Sequence, residues 1–197
     1  MLFVNAASDY VSMYKQMKHT MQSEYKERSE PYKLRIIKWN SEQPITRIDK
    51  PTNVARAREL GYKAKEGVVM VRVMLHGGSR KRKHAAGGRK PSKSGRYFTN
   101  SKSLRAIAEE RAARKFTNCE ALNSYFVGSA GSKTFFEVIL LDKNHPAILS
   151  DPQLNGVAKQ NGRAFRGLSS IGKRHRGLSR KRFGAHKIRP SQNKLKT

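Results

Sequence analysis

The sequence predicts an α+β fold: a small sheet with a helix packed on it, carrying long basic extensions. Three observations lead there. Residues 67–149 contain three strand-length apolar segments, with one capped amphipathic helix between the first and the second. Gly128, Ser129 and Gly131 separate the last two segments as hairpin material. Two long stretches, between Glu66 and Glu109 and after Asp151, hold no carboxylate, and their apolar residues are too scattered to enlarge a core. The expected division is an N-terminal helical extension (1–66), a core (67–150) with a basic glycine-rich loop at 76–97, and a basic C-terminal extension (151–197).

From Tyr10 to Arg28, the residues Val11, Tyr14, Met17, Met21 and Tyr25 recur at spacings of three and four, the signature of a helix that docks by one face. Pro31 interrupts this pattern. Leu34, Ile37 and Trp39 continue an apolar stripe beside Lys33, Arg35 and Lys38, which predicts a short second helix. Thr52 is a suitable N-cap for a helix running through Arg56 to Leu60, and Gly61 supplies a terminator. Val68 to Leu75 alternates as a half-buried strand does, with Val69, Val71, Val73 and Leu75 on one face and Met70, Arg72 and Met74 on the other. Ser103 can cap a helix through Lys115 that gathers Leu104, Ile107, Ala108 and Ala112 on one face. Strands are expected at roughly 121–127 and 134–141, with Ile107 and Val138 in the core. Beyond Asp151 the isolated apolar residues bury too little area to offset ordering the backbone, so disorder is expected there in the free chain.

Charge decides the class of partner. The 197 residues carry 42 Lys and Arg against 14 Asp and Glu, a formal charge of +28 that would strain a compact fold unless a polyanion were bound. The hydrophobic share is 37%, below the roughly 45–50% of globular chains, so only a modest core is expected. Cys119 is alone and can form neither an internal disulfide nor a cysteine-based metal site, as suits a reducing cytoplasm. No run of about 18 apolar residues offers a membrane span, and the basic stretches lack the apolar face of a membrane-surface helix. Neither a membrane nor a small-molecule substrate is therefore expected.

Enzyme chemistry finds little support. Gly167-Leu168-Ser169-Ser170-Ile171-Gly172-Lys173 spells most of a phosphate-binding loop. The motif needs a strand before it and a Ser or Thr hydroxyl after the lysine, however, and this chain has neither Ser nor Thr but Arg174. The six histidines show no metal-ligand spacing. Glu109 and Glu110 read as a solvated helix face, and His145 before Pro146 reads as a local cap rather than a base for Asp142. No cofactor and no catalysis are expected. Similar numbers of arginine and lysine, with glycines beside them, suit folded RNA, because guanidinium forks grip phosphate and stack on bases. The alternative is a DNA-compacting, chromatin-type protein, but no helix-turn-helix, zinc finger or heptad dimer is visible.

The motifs themselves narrow this further. They run through Pro51-Thr52, Arg56-Ala57-Arg58, Leu60-Gly61-Tyr62-Lys63-Ala64-Lys65, Gly67-Val68-Val69, Val71-Arg72-Val73 and Gly77-Gly78 with Arg80-Lys81. In order follow Ser103-Leu104, Ile107-Ala108-Glu109-Glu110-Arg111-Ala112, Leu122-Asn123-Ser124-Tyr125, Phe136-Glu137-Val138-Ile139-Leu140, and Arg166-Gly167-Leu168 echoed by Arg176-Gly177-Leu178. From about Met13 onward the chain resembles the large-subunit ribosomal protein family fifteen-e of archaea and eukaryotes, in its archaeal form. Residues 1–12 read either as an extension or as the product of a start codon set too early. Phe126 stands where the family often has tryptophan, Ser129 and Ala130 replace usual acids, and Gly156 takes the place of another tryptophan. The resemblance implies a β-α-β-type core with a small antiparallel sheet, no cofactor, and a structural role in the cytoplasmic ribosome among ribosomal RNA and neighbouring ribosomal proteins. The residues expected to meet RNA are Arg80, Lys81, Arg82, Lys83, Arg89 and Lys90 in the glycine-rich loop, and Arg163, Arg166, Lys173, Arg174, Arg176, Arg180, Lys181 and Arg182 in the C-terminal segment.

Overall fold

The computed structural model describes residues 13–78, 87–91 and 102–178. Its elements in chain order are α1 (Met13–Glu27), α2 (Glu30–Ser41), β1 (Ile45–Ile48), α3 (Val54–Glu59), β2 (Val68–His76), α4 (Leu104–Lys115), β3 (Cys119–Ala130), β4 (Lys133–Asp142), α5 (Pro146–Leu149), α6 (Pro152–Ala158) and α7 (Ser170–His175). The four strands form one sheet in the order β1-β2-β4-β3, antiparallel throughout. An α+β class with an antiparallel sheet is what the sequence and the resemblance predict.

The alternation along β2 separates two buried faces, not one buried and one wet face. Val71, Val73 and Leu75 join Phe136, Val138 and Leu140 beneath α4, whose Ala108, Ala112 and Ala113 bring the helix close to the sheet. On the other side Met70 meets Ile139, Tyr125 and Ala57, while Phe135 packs with Tyr32, Ile36 and Trp39 of α2. Arg72 lies on that second face. Its guanidinium is 4.7 Å from the centre of the Trp39 ring and pairs with Glu42, so an arginine within a strand is tolerated where its charge has both partners. Ile107 packs at the margin of the core only partly buried, whereas Val138 is fully enclosed.

Several local features differ from expectation. No strand is predicted before Val68, yet Ile45–Ile48 pairs with residues 70–73 of β2 as a short sheet edge. Asn53, rather than Thr52, caps α3 by accepting from the Arg56 amide at 2.9 Å. Thr52 instead donates its amide and hydroxyl to the buried Glu137 carboxylate. β3 carries two bulges, at Leu122 and Val127, where its register against β4 shifts. At Gly128 a Cβ would come within 3.1 Å of Ile36 Cδ1 and the Tyr32 hydroxyl, so the lack of a side chain admits α2 onto the sheet. Cys119 is buried, and burial pushes its thiol up to about 11, consistent with a packing role.

The largest difference lies after Asp151. Residues 152–178, which sequence composition predicts to be unstructured in isolation, fold against the core through Leu154, Ala158, Ala164 and Ile171. Their own apolar content is small, but the sheet and α4 already offer the other half of the interface. Composition counts only one side of such a contact. Residues 179–197 lie outside the described residues.

Candidate nucleic-acid interface

The ten-residue repeat acquires a physical meaning in the fold. Gly167 and Gly177 both adopt a left-handed conformation, with φ of +64° and +67°. The Leu168 amide bonds the Arg163 carbonyl at 3.0 Å, and the Leu178 amide bonds the Lys173 carbonyl at 2.8 Å. Each is the six-to-one bond that closes a helical turn on a glycine. Arg-Gly-Leu is thus a terminator used twice, and between its copies Gly172 packs against Gly167. A Cβ on Gly172 would approach the Gly167 Cα to 2.6 Å, so this contact requires glycine.

The same geometry answers the phosphate-loop spelling. Residues 161–167 form turns, not a strand, and the Ser169 side chain accepts from the Gly172 amide at 3.2 Å to cap α7. The Ser169 hydroxyl donates to Glu109. His145 caps α5 through the Ala147 amide, as its sequence context predicts. Among the described residues no cluster of three or more His, Cys, Asp or Glu could hold a metal, and no helix is long and apolar enough to cross a membrane.

Carboxylates fasten this segment to the core. Glu120, buried on β3, accepts from the amides of Gly162 and Arg163 at 2.9 and 3.1 Å and pairs with Lys143 at 3.0 Å. Asp151 pairs with Lys63 and Lys65 at 2.7 and 3.0 Å, and those bonds hold its carboxyl below the usual carboxylate range. Glu109 departs from the solvated face expected for it. It is 1% exposed and accepts from Ser124 and Ser169, while Glu110 stays half-buried beside Lys102. Burial pushes the Glu109 carboxyl up, against the opposing pull of the two serines, Arg105 and Arg163.

That shift sets a pH dependence. A carboxyl whose folded pKa lies above its unfolded value of about 4.3 contributes stability that is full below that value and lost as pH rises through the folded pKa. Glu109→Gln lacks the titration. Its stability relative to the parent protein should therefore improve as pH is raised from about 4 to neutral, followed by denaturant melts at each pH. A pH-independent difference between the two would mean that Glu109 ionises in the fold as it does in the open chain.

The structure distributes the predicted cations unevenly. Arg166, Lys173, Arg174 and Arg176 are all exposed on the 161–178 segment. Arg176 Nη1 donates to the Arg166 carbonyl at 3.3 Å, which draws two of them together. Arg163 sits differently, half-buried, with Nε and Nη1 enclosed and without hydrogen-bond partners among the described residues. Burial lowers its pKa, and Glu109 and Glu120 counter that effect. Arg89 and Lys90 are exposed in the short described piece of the glycine-rich loop. Arg80, Lys81, Arg82 and Lys83, with Arg180, Lys181 and Arg182, lie outside the described residues.

Other cations join this face without being evident in the sequence. Arg105 of α4 donates to Ser124 and Asn123 at 2.9 and 2.6 Å. Its pKa is lowered first by burial and further by the nearby charges of Arg56 and Arg174, with Glu109 opposing. Arg105 of α4 thus feels the charges of Arg56 in α3 and Arg174 in α7, with Glu109 opposing them. Comparison with known proteins places this arrangement in context. The Ribosomal L15 family matches residues 12–195. The large ribosomal subunit protein eL15 of Methanocorpusculum labreanum is 45% identical over 158 residues, covering 80% of this chain and 81% of its own length. The chain therefore belongs to the Ribosomal L15 family of large-subunit ribosomal proteins, which are structural constituents of the ribosome and not enzymes.

Proposed function

We propose that the chain binds and stabilises folded ribosomal RNA of the large subunit, and that the docked 161–178 segment is one of its RNA-facing surfaces. The observation that carries this reading is the sorting of charge. Glu109 and Glu120 are buried and hold the 161–178 segment through Ser169 and the Gly162 and Arg163 amides, while Arg166, Lys173, Arg174 and Arg176 are exposed on that segment. A rigid presentation of cations reduces the ordering cost of binding. Arg163 acts from within, as a brace beneath the exposed set. Arg89 and Lys90, the neighbouring Arg80–Lys83 run, and Arg180, Lys181 and Arg182 extend the same electrostatic contact. Neighbouring ribosomal proteins are further partners, for which the exposed Leu34 and Ile37 of α2 offer apolar contact.

Competition at matched salt tests the reading. Labelled large-subunit RNA bound to the full chain should resist displacement by duplex DNA and yield to unlabelled RNA of the same sequence. Equal displacement by both would overturn folded-RNA recognition and favour the DNA-compacting alternative.

A further inference from the structure

Between the first turns of α4 and the 164–176 segment lies an open groove of about 350 Å³, at the lower end of the ~300–1,000 Å³ typical of ligand sites. Its walls include Ala106 and Ala164, and the Phe165 ring stands in it 49% exposed. A phenylalanine left so far in water adds nothing to the core. The Arg114 guanidinium carbon lies 5.8 Å from the centre of that ring. One rim carries Arg166 and Arg176, joined by their hydrogen bond. Another carries Lys102 and Glu110, ion-paired at 2.5 Å. His175 Nε2 accepts from the Ser103 amide at 3.1 Å, which places the ring proton on Nδ1 as a further donor.

We propose that this groove receives one unstacked nucleotide of ribosomal RNA, its base stacked on Phe165 and its phosphate held by Arg166 and Arg176. The inference rests on the RNA-binding reading above and adds a defined subsite to it. Each part of the chemistry is supplied. An aromatic face suits any base, and cations at its margin suit the backbone that carries the base. The Glu110 carboxylate repels phosphate and accepts from an exocyclic amine, so the groove favours adenine, cytosine or guanine over uracil. An acidic protein segment would place its carboxylates against Glu110 and leave the ring without a planar partner.

The test uses the full chain and large-subunit RNA, with Phe165→Ala, Phe165→Trp and a salt titration of each. Phe165→Ala should weaken binding about tenfold, the order of one lost base–aromatic stack, with an unchanged salt slope because no phosphate contact is removed. Phe165→Trp should restore it. Ultraviolet crosslinking of intact large subunits should yield a peptide containing Phe165 joined to a single A, C or G residue. Parental affinity for Phe165→Ala, or a loss accompanied by a shallower slope, overturns the subsite. So does crosslinking of the ring to protein. A mononucleotide that raises the melting temperature of the parent but not of Phe165→Ala, while RNA affinity ignores the ring, would reassign the groove to free nucleotides. In every one of these outcomes RNA binding by the parent protein can persist, whereas failure of RNA binding as such appears separately as equal displacement by duplex DNA.

Discussion

Exchanging Arg166, Lys173, Arg174 and Arg176 together for glutamine is expected to produce the largest loss of RNA affinity available from the described residues. Each phosphate neutralised by a cation contributes about −0.9 to the slope of log affinity against log salt on a duplex. If all four meet phosphates, the slope becomes shallower by up to about 3.6, and binding at 0.1 M salt weakens by up to a few thousandfold, roughly eightfold per contact. Fewer contacts scale both numbers down together. All four side chains are exposed, so the fold should survive, and circular dichroism melts provide the control. Filter binding of large-subunit RNA across a salt series gives the slope. A slope identical to that of the parent would show that this surface does not meet phosphate.

Glu120→Ala should produce the largest structural effect per atom removed. The change deprives two amides, those of Gly162 and Arg163, of their charged acceptor and takes the ion-pair partner from Lys143. It also leaves the half-buried Arg163 guanidinium with one fewer nearby carboxylate. Hydrogen bonds to a charged group contribute about 1.5–3 kcal/mol each, so a loss of about 3–5 kcal/mol is expected for docking of the segment. The sheet makes its own core with α4, and the loss should therefore appear first as local opening. Hydrogen exchange of amides in 162–172 should accelerate by two orders of magnitude or more, roughly, while β2 and β4 stay protected. Acceleration spread evenly over the whole chain would mean that the segment and the sheet open as one unit. RNA affinity should fall in the same variant even though no surface cation has been touched.

These two experiments bracket what could be read from residues alone. β2 and β4 were legible because each is long enough for alternation or continuous apolarity to register, and Ser103 announces α4 by its chemistry. β1 was not: Ile45-Thr46-Arg47-Ile48 has no period to measure, and it is a strand only because β2 offers it a register. Glu109 and Glu110 share a local sequence yet differ by the 100° that one residue turns a helix, which carries one inward and leaves the other beside Lys102. The same limit applies to the cations. Composition treats Arg163 and Arg166 alike, whereas the turn around Gly162 and Gly167 brings the first toward buried carboxylates and the second to the surface. Phe165 has a sequence signal in hindsight, an aromatic residue set inside a basic run, but its exposure is a tertiary fact.

The sheet's two edges bear on how such a chain survives before it is assembled. β1 presents only four residues, and β3 is broken by bulges at Leu122 and Val127, so neither edge offers a long flat row of amides and carbonyls to another copy. Strand addition between molecules, the usual seed of β-aggregation, therefore finds only short or interrupted templates at the edges of the described sheet. Mutual repulsion among chains of +28 charge adds a second barrier. Short or broken sheet edges and like charge thus act together against pairing between copies of the chain.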